Sequence, residues 1–289
     1  MGSRNREGSI RLADGRRVSY AEYGDPDGVP VVNCHGAPSS RRERYFPDAD
    51  GYRRLGVRLI GIDRPGFGRS DPAPGRRIVD WPADAEQVID ALHLGAVRLL
   101  ALSAGVPYAF ALARALPDRV ARIAAVGAAP PPDLPWPWPP VPSGLRSFLL
   151  RPGPVLTAAS LPLMGPAALW PPLMSSYLRM RLGPPDRALL DRPEVRGTLD
   201  ETFAEGLRHG WRAGAYDRAL LRRPWGFPVA DVPRPVRLWH GRADWQAPLP
   251  GALLLAAVMP TVDLRVLPGT GHLLGFTHAP EILADLTAP

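Results

Sequence analysis

Lysine is absent from this sequence of 289 residues, so all 35 cationic Lys/Arg positions are arginine. The Lys-Ser/Thr ending of a phosphate-binding loop is therefore missing, and "GFGRSDP" lacks the spacing of such a loop as well. Cysteine is nearly as scarce. Cys34 is the only one, which excludes an intrachain disulfide, and inside "VPVVNCHG" it reads as a small buried strand residue. There is no His-Glu-x-x-His segment or cysteine cluster to hold a metal, and no motif implies a cofactor.

Long apolar runs are missing too. The opening "MGSRNREGSI" has arginines with no apolar stretch behind them, so neither a secretory signal nor a myristoylation site is expected. The most apolar later stretch, "VLTAASLPLMGPAALWPPLM", is broken by four prolines, whereas a spanning helix needs about 20 uninterrupted apolar residues. The expectation is a cytoplasmic protein with no membrane span. A net charge of +7 would attract anions, but the arginines are scattered in pairs such as Arg53–Arg54, Arg76–Arg77 and Arg222–Arg223. No aromatic-interleaved basic motif accompanies them, so nucleic acid is not an expected partner.

What is present is the composition of a cored globular protein, 45% apolar and 22% charged. "SIRLADGRRVSYAEYGD" alternates apolar and polar residues on both sides of Asp14–Gly15, the pattern of a β-hairpin. "VPVVNCHG", "VRLIGIDRPG", "VRLLALS" and "RVARIAAVGA" then read as strands buried on both faces. Helical spacing lies between them, in "DWPADAEQVIDALHLG" and "AGVPYAFALARALPDRV". This alternation predicts a mostly parallel central sheet flanked by helices. It resumes at "RPVRLWHGRAD" and runs to the final "APEILADLTAP". Residues 130–230 interrupt it, opening with "PPPDLPWPWPPVP" and holding five of the eight tryptophans. A polyproline linker would not need the tryptophans and methionines that follow, so a helical cap is expected there, inserted in a core formed by residues 1–129 and 231–289.

"LLALSAGVPY" ends an apolar run on Ser103 and then turns small. A nucleophile on a sharp strand-to-helix turn needs small residues two positions before and after it, and Ala101 and Gly105 satisfy this. A serine capping the next helix would look the same, so the partners are the test. Asp244 in "LWHGRADWQAP" and His272 in "VLPGTGHLLGF" each follow a predicted strand, in the chain order Ser, Asp, His. At the carboxyl ends of parallel strands the three would face one crevice.

With "HGAP", "DRPGFGRSD", "LSAGVPYAFALARALPDRV", "HGRADWQAP" and "PGTGH" in place, the sequence resembles the α/β-hydrolase fold family over nearly all of the chain outside the interruption. The resemblance implies a serine hydrolase of esterase type, its cap following the sixth strand. Ser103 would be the nucleophile, His272 the general base and then acid, and Asp244 the orienting carboxylate. The backbone N–H groups of Ala37 and Ala104 would form the oxyanion hole, supported by His35 and Gly36. Relatives often carry glycine where this chain has Ala101, and two glycines where it has Gly105 and Val106. The serine argues against epoxide hydrolase and haloalkane dehalogenase chemistry, and "HGAPSS" lacks the "HGGPG" of proline iminopeptidases. An ester, thioester or lactone of a largely apolar small molecule is the expected substrate. Trp136, Trp138, Met164, Trp170 and Met174 would roof its pocket, as would Leu173, although each also reads as plain cap core.

Other readings stay open. Asp133 is a second position for the acid. His240 reads as turning a strand end, His278, His93 and His209 as surface or packing residues, and Asp63 as a brace for its turn. "SSRRER" reads as the start of a helix capped by Ser39 or Ser40, with Arg41, Arg42 and Arg44 either on a solvated face or attracting an acidic acyl carrier or CoA-linked substrate. The same fold can also serve acyl transfer, cyclisation, rearrangement or ligand binding.

Overall fold

A computed structural model of the chain describes residues 6–46, 50–134, 176 and 178–288. The hairpin forms as the alternation requires: β1 (Arg6–Arg11) runs antiparallel to β2 (Arg17–Gly24), with Arg11 opposite Arg17. β3 (Val29–Cys34), β4 (Val57–Ile62), β5 (Val97–Leu102), β6 (Val120–Val126), β7 (Val236–Gly241) and β8 (Val262–Leu267) complete one sheet of eight strands in the order β1-β2-β4-β3-β5-β6-β7-β8. β2 meets β4 antiparallel, and from β4 onward every pairing is parallel.

Each strand from β3 to β7 ends in four buried residues, which is why their sequences are continuous apolar runs. Because side chains alternate along a strand, one strand feeds both faces. Leu99 and Ala101 of β5 join the core under α2 (Trp81–Ala91) and α3 (Val106–Ala115). Leu100 and Leu102 join the opposite core, with Tyr52 of α1 (Asp50–Arg54) and Ile282 and Leu283 of the last helix (Gly275–Thr287).

Between β6 and β7 the described residues form α4 (Pro184–Leu190), α5 (Pro193–Gly206) and α6 (Arg212–Leu221); α7 (Leu249–Val258) and α8 (Gly275–Thr287) follow later. Leu189, Leu190, Val195 and Leu199 form a separate apolar cluster with Leu182 and Leu273. Trp136, Trp138, Met164, Trp170, Leu173 and Met174 lie outside the described residues. No helix among the described residues is long and apolar enough to cross a membrane.

The "SSRRER" segment corrects the sequence reading: residues 39–44 form no helix. Arg41 is completely buried, with its guanidinium 2.7 Å from each of Asp63, Glu205 and Glu7. Arg42 pairs with Glu7 and Arg44 with Glu201, both at 2.6 Å. These arginines meet carboxylates of the fold.

Candidate active site

β5 ends at Leu102, and the chain turns through a single 3-10 turn, Ser103–Gly105, into α3. Ser103 takes φ +51°, the left-handed conformation that costs a non-glycine residue about 1–2 kcal/mol. The surroundings hold it there. A Cβ on Gly105 would overlap the carbonyl oxygen of Cys34 and lie 2.8 Å from that of His35, so only glycine lets the turn sit against the end of β3. Ala101 and Ala104 on either side are buried, while Ser103 is partly exposed.

The strand register carries this position across the sheet. Leu102 pairs with Val126 and Val126 with Trp239, so Ser103, Gly127 and His240 open the next row at the carboxyl ends of adjacent strands. Neighbouring strands lie about 4.8 Å apart. The His272 imidazole packs over Gly127, where a Cβ would lie 2.9 Å from Nδ1 and 3.3 Å from Asp244 Oδ2. His272 stands in the loop between β8 and α8, one strand over from Ser103.

Asp244 follows β7. Its Oδ1 accepts the backbone N–H groups of Gln246 at 2.8 Å and Ala247 at 2.9 Å, and its Oδ2 lies 2.7 Å from His272 Nδ1. With Nδ1–H donating to a buried carboxylate, Nε2 is the ring atom left to exchange a proton. Burial alone would push the His272 imidazole down, but the charge and hydrogen bond of Asp244, with the charges of Asp186 and Glu43, together hold the group above its ordinary 6.5. His240, buried behind them and pushed down by burial, places Nε2 2.8 Å from the Ala247 carbonyl and 4.0 Å from Asp244 Oδ2, and so buttresses the turn that carries Asp244.

The loop after β3 is held from two sides. Gly36 N–H donates to Glu43 Oε2 at 2.9 Å, and burial pushes the Glu43 carboxyl up. His35 Nε2 accepts the Arg64 backbone N–H at 3.2 Å, which leaves its proton on Nδ1, 2.7 Å from the Gly36 carbonyl. This imidazole lies well below its ordinary value because it is buried. The Arg64 guanidinium donates to the carbonyl of His35 and, at 3.0 Å, to that of Gly36, while Nε meets Asp217 of α6 at 2.9 Å. Asp217 also accepts from Arg76 and, at 2.8 Å, from the Tyr108 hydroxyl. Burial would raise its carboxyl, but the charges of Arg64 and Arg76 bring it down to about 2. Farther along the loop, Ser40 Oγ–H donates to the Thr202 carbonyl of α5 at 2.9 Å, and a Cβ on Gly206 would overlap the carbonyl oxygens of Pro38 and Ser39.

The structure therefore gathers Ser103, Asp244, His272, His35, Gly36, Ala37 and Ala104 at one end of the sheet. Asp133, His93 and His209 are exposed, and His278 sits in α8 with Nδ1 2.8 Å from the Thr277 hydroxyl. Asp63 accepts the backbone N–H groups of Arg41 and Arg69 and so braces its turn. Among the described residues no group of three His, Cys, Asp or Glu side chains could hold a metal ion. A separate cleft of about 530 Å³, lined by Arg16, Pro74, Arg76 and Trp81 among others, contains none of Ser103, Asp244 or His272.

Sequence reasoning missed Gly127, Glu43, Asp186 and the Arg64–Asp217 pair. For the two aspartates a signal exists: Asp217 falls on the buried stripe of α6 with Gly214 and Leu220, and Asp186 on that of α4 with Leu189 and Leu190. A carboxylate on the apolar stripe of a helix needs a partner.

Residues 29–156 match the family model for the alpha/beta hydrolase fold. A non-heme chloroperoxidase of Streptomyces lividans is 38% identical over 130 residues, 43% of this chain and 45% of that protein, so the chain spans less than half of the relative's length. Among solved structures, a bromoperoxidase from Bacillus anthracis superposes with a TM-score of 0.67 at 22% identity, covering 98% of both chains. An esterase from Exiguobacterium antarcticum gives a TM-score of 0.69 at 19% identity, covering 99% of this chain and 98% of its own. These structural likenesses establish the α/β-hydrolase fold, and the family match places residues 29–156 within it.

Proposed function

We propose that the protein is a serine hydrolase that cleaves an ester, thioester or lactone of a largely apolar small molecule. The observation that carries this reading is the 2.7 Å contact between His272 Nδ1 and the buried Asp244 carboxylate, set over the strand beside the one that ends at Ser103. Ser103 Oγ attacks the substrate carbonyl carbon as its proton passes to His272 Nε2, and Asp244 stabilises the imidazolium through Nδ1–H. Gly36 N–H is committed to Glu43, so Ala37 supplies the next donor of its loop and Ala104 the second, both toward the oxyanion. Collapse of the tetrahedral intermediate expels the leaving group, which takes the proton from His272. Water then gives a proton to His272 and adds to the acyl-enzyme, and a second collapse returns Ser103 and releases the acid. The apolar substrate class rests on the tryptophans and methionines of residues 130–230.

The test is adduct mass after incubation with a fluorophosphonate, with Ser103→Ala as control, followed by turnover of p-nitrophenyl esters of increasing chain length. Labelling confined to Ser103, with hydrolysis lost in the control, supports the reading. A folded protein that neither labels nor turns over any ester overturns it. Labelling without hydrolysis, with product formed only when an alcohol or amine is added, would instead favour acyl transfer.

A further inference from the structure

Asp186 belongs to α4, in the segment between β6 and β7, and is completely buried. Its hydrogen bonds go to the main chain beside the His272 ring. Its two oxygens are divided between consecutive peptide groups of the loop after β8. Oδ2 accepts the backbone N–H of His272 at 2.9 Å, and Oδ1 that of Leu273 at 2.8 Å. The preceding residue makes this approach possible, since a Cβ on Gly271 would overlap the carboxylate. Leu273 packs beside Leu189 and Leu190 of the same helix, which keeps water from the clamp.

The stretch Pro268–His272 contains two glycines and lies outside any strand or helix, so its own backbone does little to fix where the histidine stands. The Asp244 contact holds one ring nitrogen, and the Asp186 contacts hold the main chain from which the ring projects. We propose that Asp186 is a positioning residue for His272: the inserted helix α4, and not the sheet alone, sets where the proposed base stands over Gly127. This rests on the reading of His272 as the proton-transfer residue. The carboxylates that face His272 are Asp244 from the turn after β7, Asp186 from α4 and Glu43 from the loop after β3, with the neutral His240 behind them. Replacing Asp186 removes an anchor and one of these charges together, so it changes both rate and titration.

The test compares Asp186→Asn with Leu189→Ala, which loosens the apolar packing between the same helix and Leu273 but leaves both carboxylate hydrogen bonds to the histidine loop in place. Turnover of a p-nitrophenyl ester, its pH profile and the melting temperature are measured for each. Asp186→Asn is expected to lower kcat about 10- to 100-fold with KM changed less than about threefold, because small misplacements of a catalytic group are costly. The acid limb of its kcat/KM profile should move to lower pH. Leu189→Ala is expected to melt earlier yet keep kcat within about threefold of the parent. Asp186→Asn with the parent's kcat and acid limb overturns the proposal, and so does an equal kcat loss in Leu189→Ala. If Asp186→Asn does not fold, Gly271→Ala, which pushes the carboxylate off the loop, must give the same rate loss. If the parent protein turns over no ester, the catalytic reading fails by itself. The positioning claim is then read from the NMR titration of the His272 imidazole, which must fall in Asp186→Asn and which overturns the claim if unchanged.

Discussion

The carbonyl oxygen of Cys34 occupies the space that a side chain on Gly105 would need. The end of β3 and the turn after β5 are thus in backbone contact, and the shape of the elbow depends on one missing methyl group. Gly105→Ala should destabilise the fold by about 1–3 kcal/mol, as overpacking does, and should abolish fluorophosphonate labelling of Ser103. Thermal melting and adduct mass check both halves. Unchanged labelling would show that the elbow can move aside.

Gly127 poses the same problem beneath His272. It takes φ +60°, and a Cβ there would lie 2.9 Å from His272 Nδ1. Gly127→Ala is expected to displace the imidazole from Asp244 and lower kcat on the order of 100-fold, as a shift of about 1 Å does elsewhere. Steady-state kinetics beside a melting curve would separate this from unfolding.

Asp217 pairs with two buried guanidinium groups, those of Arg64 and Arg76. Asp217→Ala should cost about 3–5 kcal/mol, the penalty for stranding buried charge. The pH dependence follows from the depressed carboxyl. Its contribution, on the order of 2–3 kcal/mol, is complete above the unfolded value of 3.8 and is lost as pH falls through about 2. Denaturant unfolding from pH 5 down to pH 2 should show a slope in the parent that is smaller in Asp217→Asn.

His272 behaves in the opposite sense. Its raised value means that the ion pair with Asp244 stabilises the fold at low pH, and that this contribution is lost as pH rises through the folded value. The proposed mechanism needs the neutral ring, so kcat/KM should rise with pH and reach half its plateau above 6.5. Asp244→Asn should lower kcat about 10³- to 10⁴-fold and move any remaining acid limb downward. A pH–rate profile of both proteins decides it.

The sheet and the proposed nucleophile, acid and base were legible in the sequence because each leaves a local mark. Runs such as "VRLLALS" announce doubly buried strands, and Ser103, Asp244 and His272 each stand just past one. What surrounds them was not legible, because it depends on partners far away in the chain. Nothing near "SSRRER" reveals that Arg41 will meet Asp63, 22 residues on, and Glu205, 164 residues on. Read locally, a run of arginines is a solvated face; in the fold, three carboxylates make burial tolerable.

Three helices between β6 and β7 each hold a loop at the carboxyl ends of the strands: α4 through Asp186, α5 through Thr202 and α6 through Asp217. A graft of this segment from a relative, made to change substrate preference, would therefore also exchange the fastenings of the histidine loop and of the loop after β3. Such a chimera keeps Ser103, Asp244 and His272 in register only if the incoming helices bring carboxylates to positions 186 and 217.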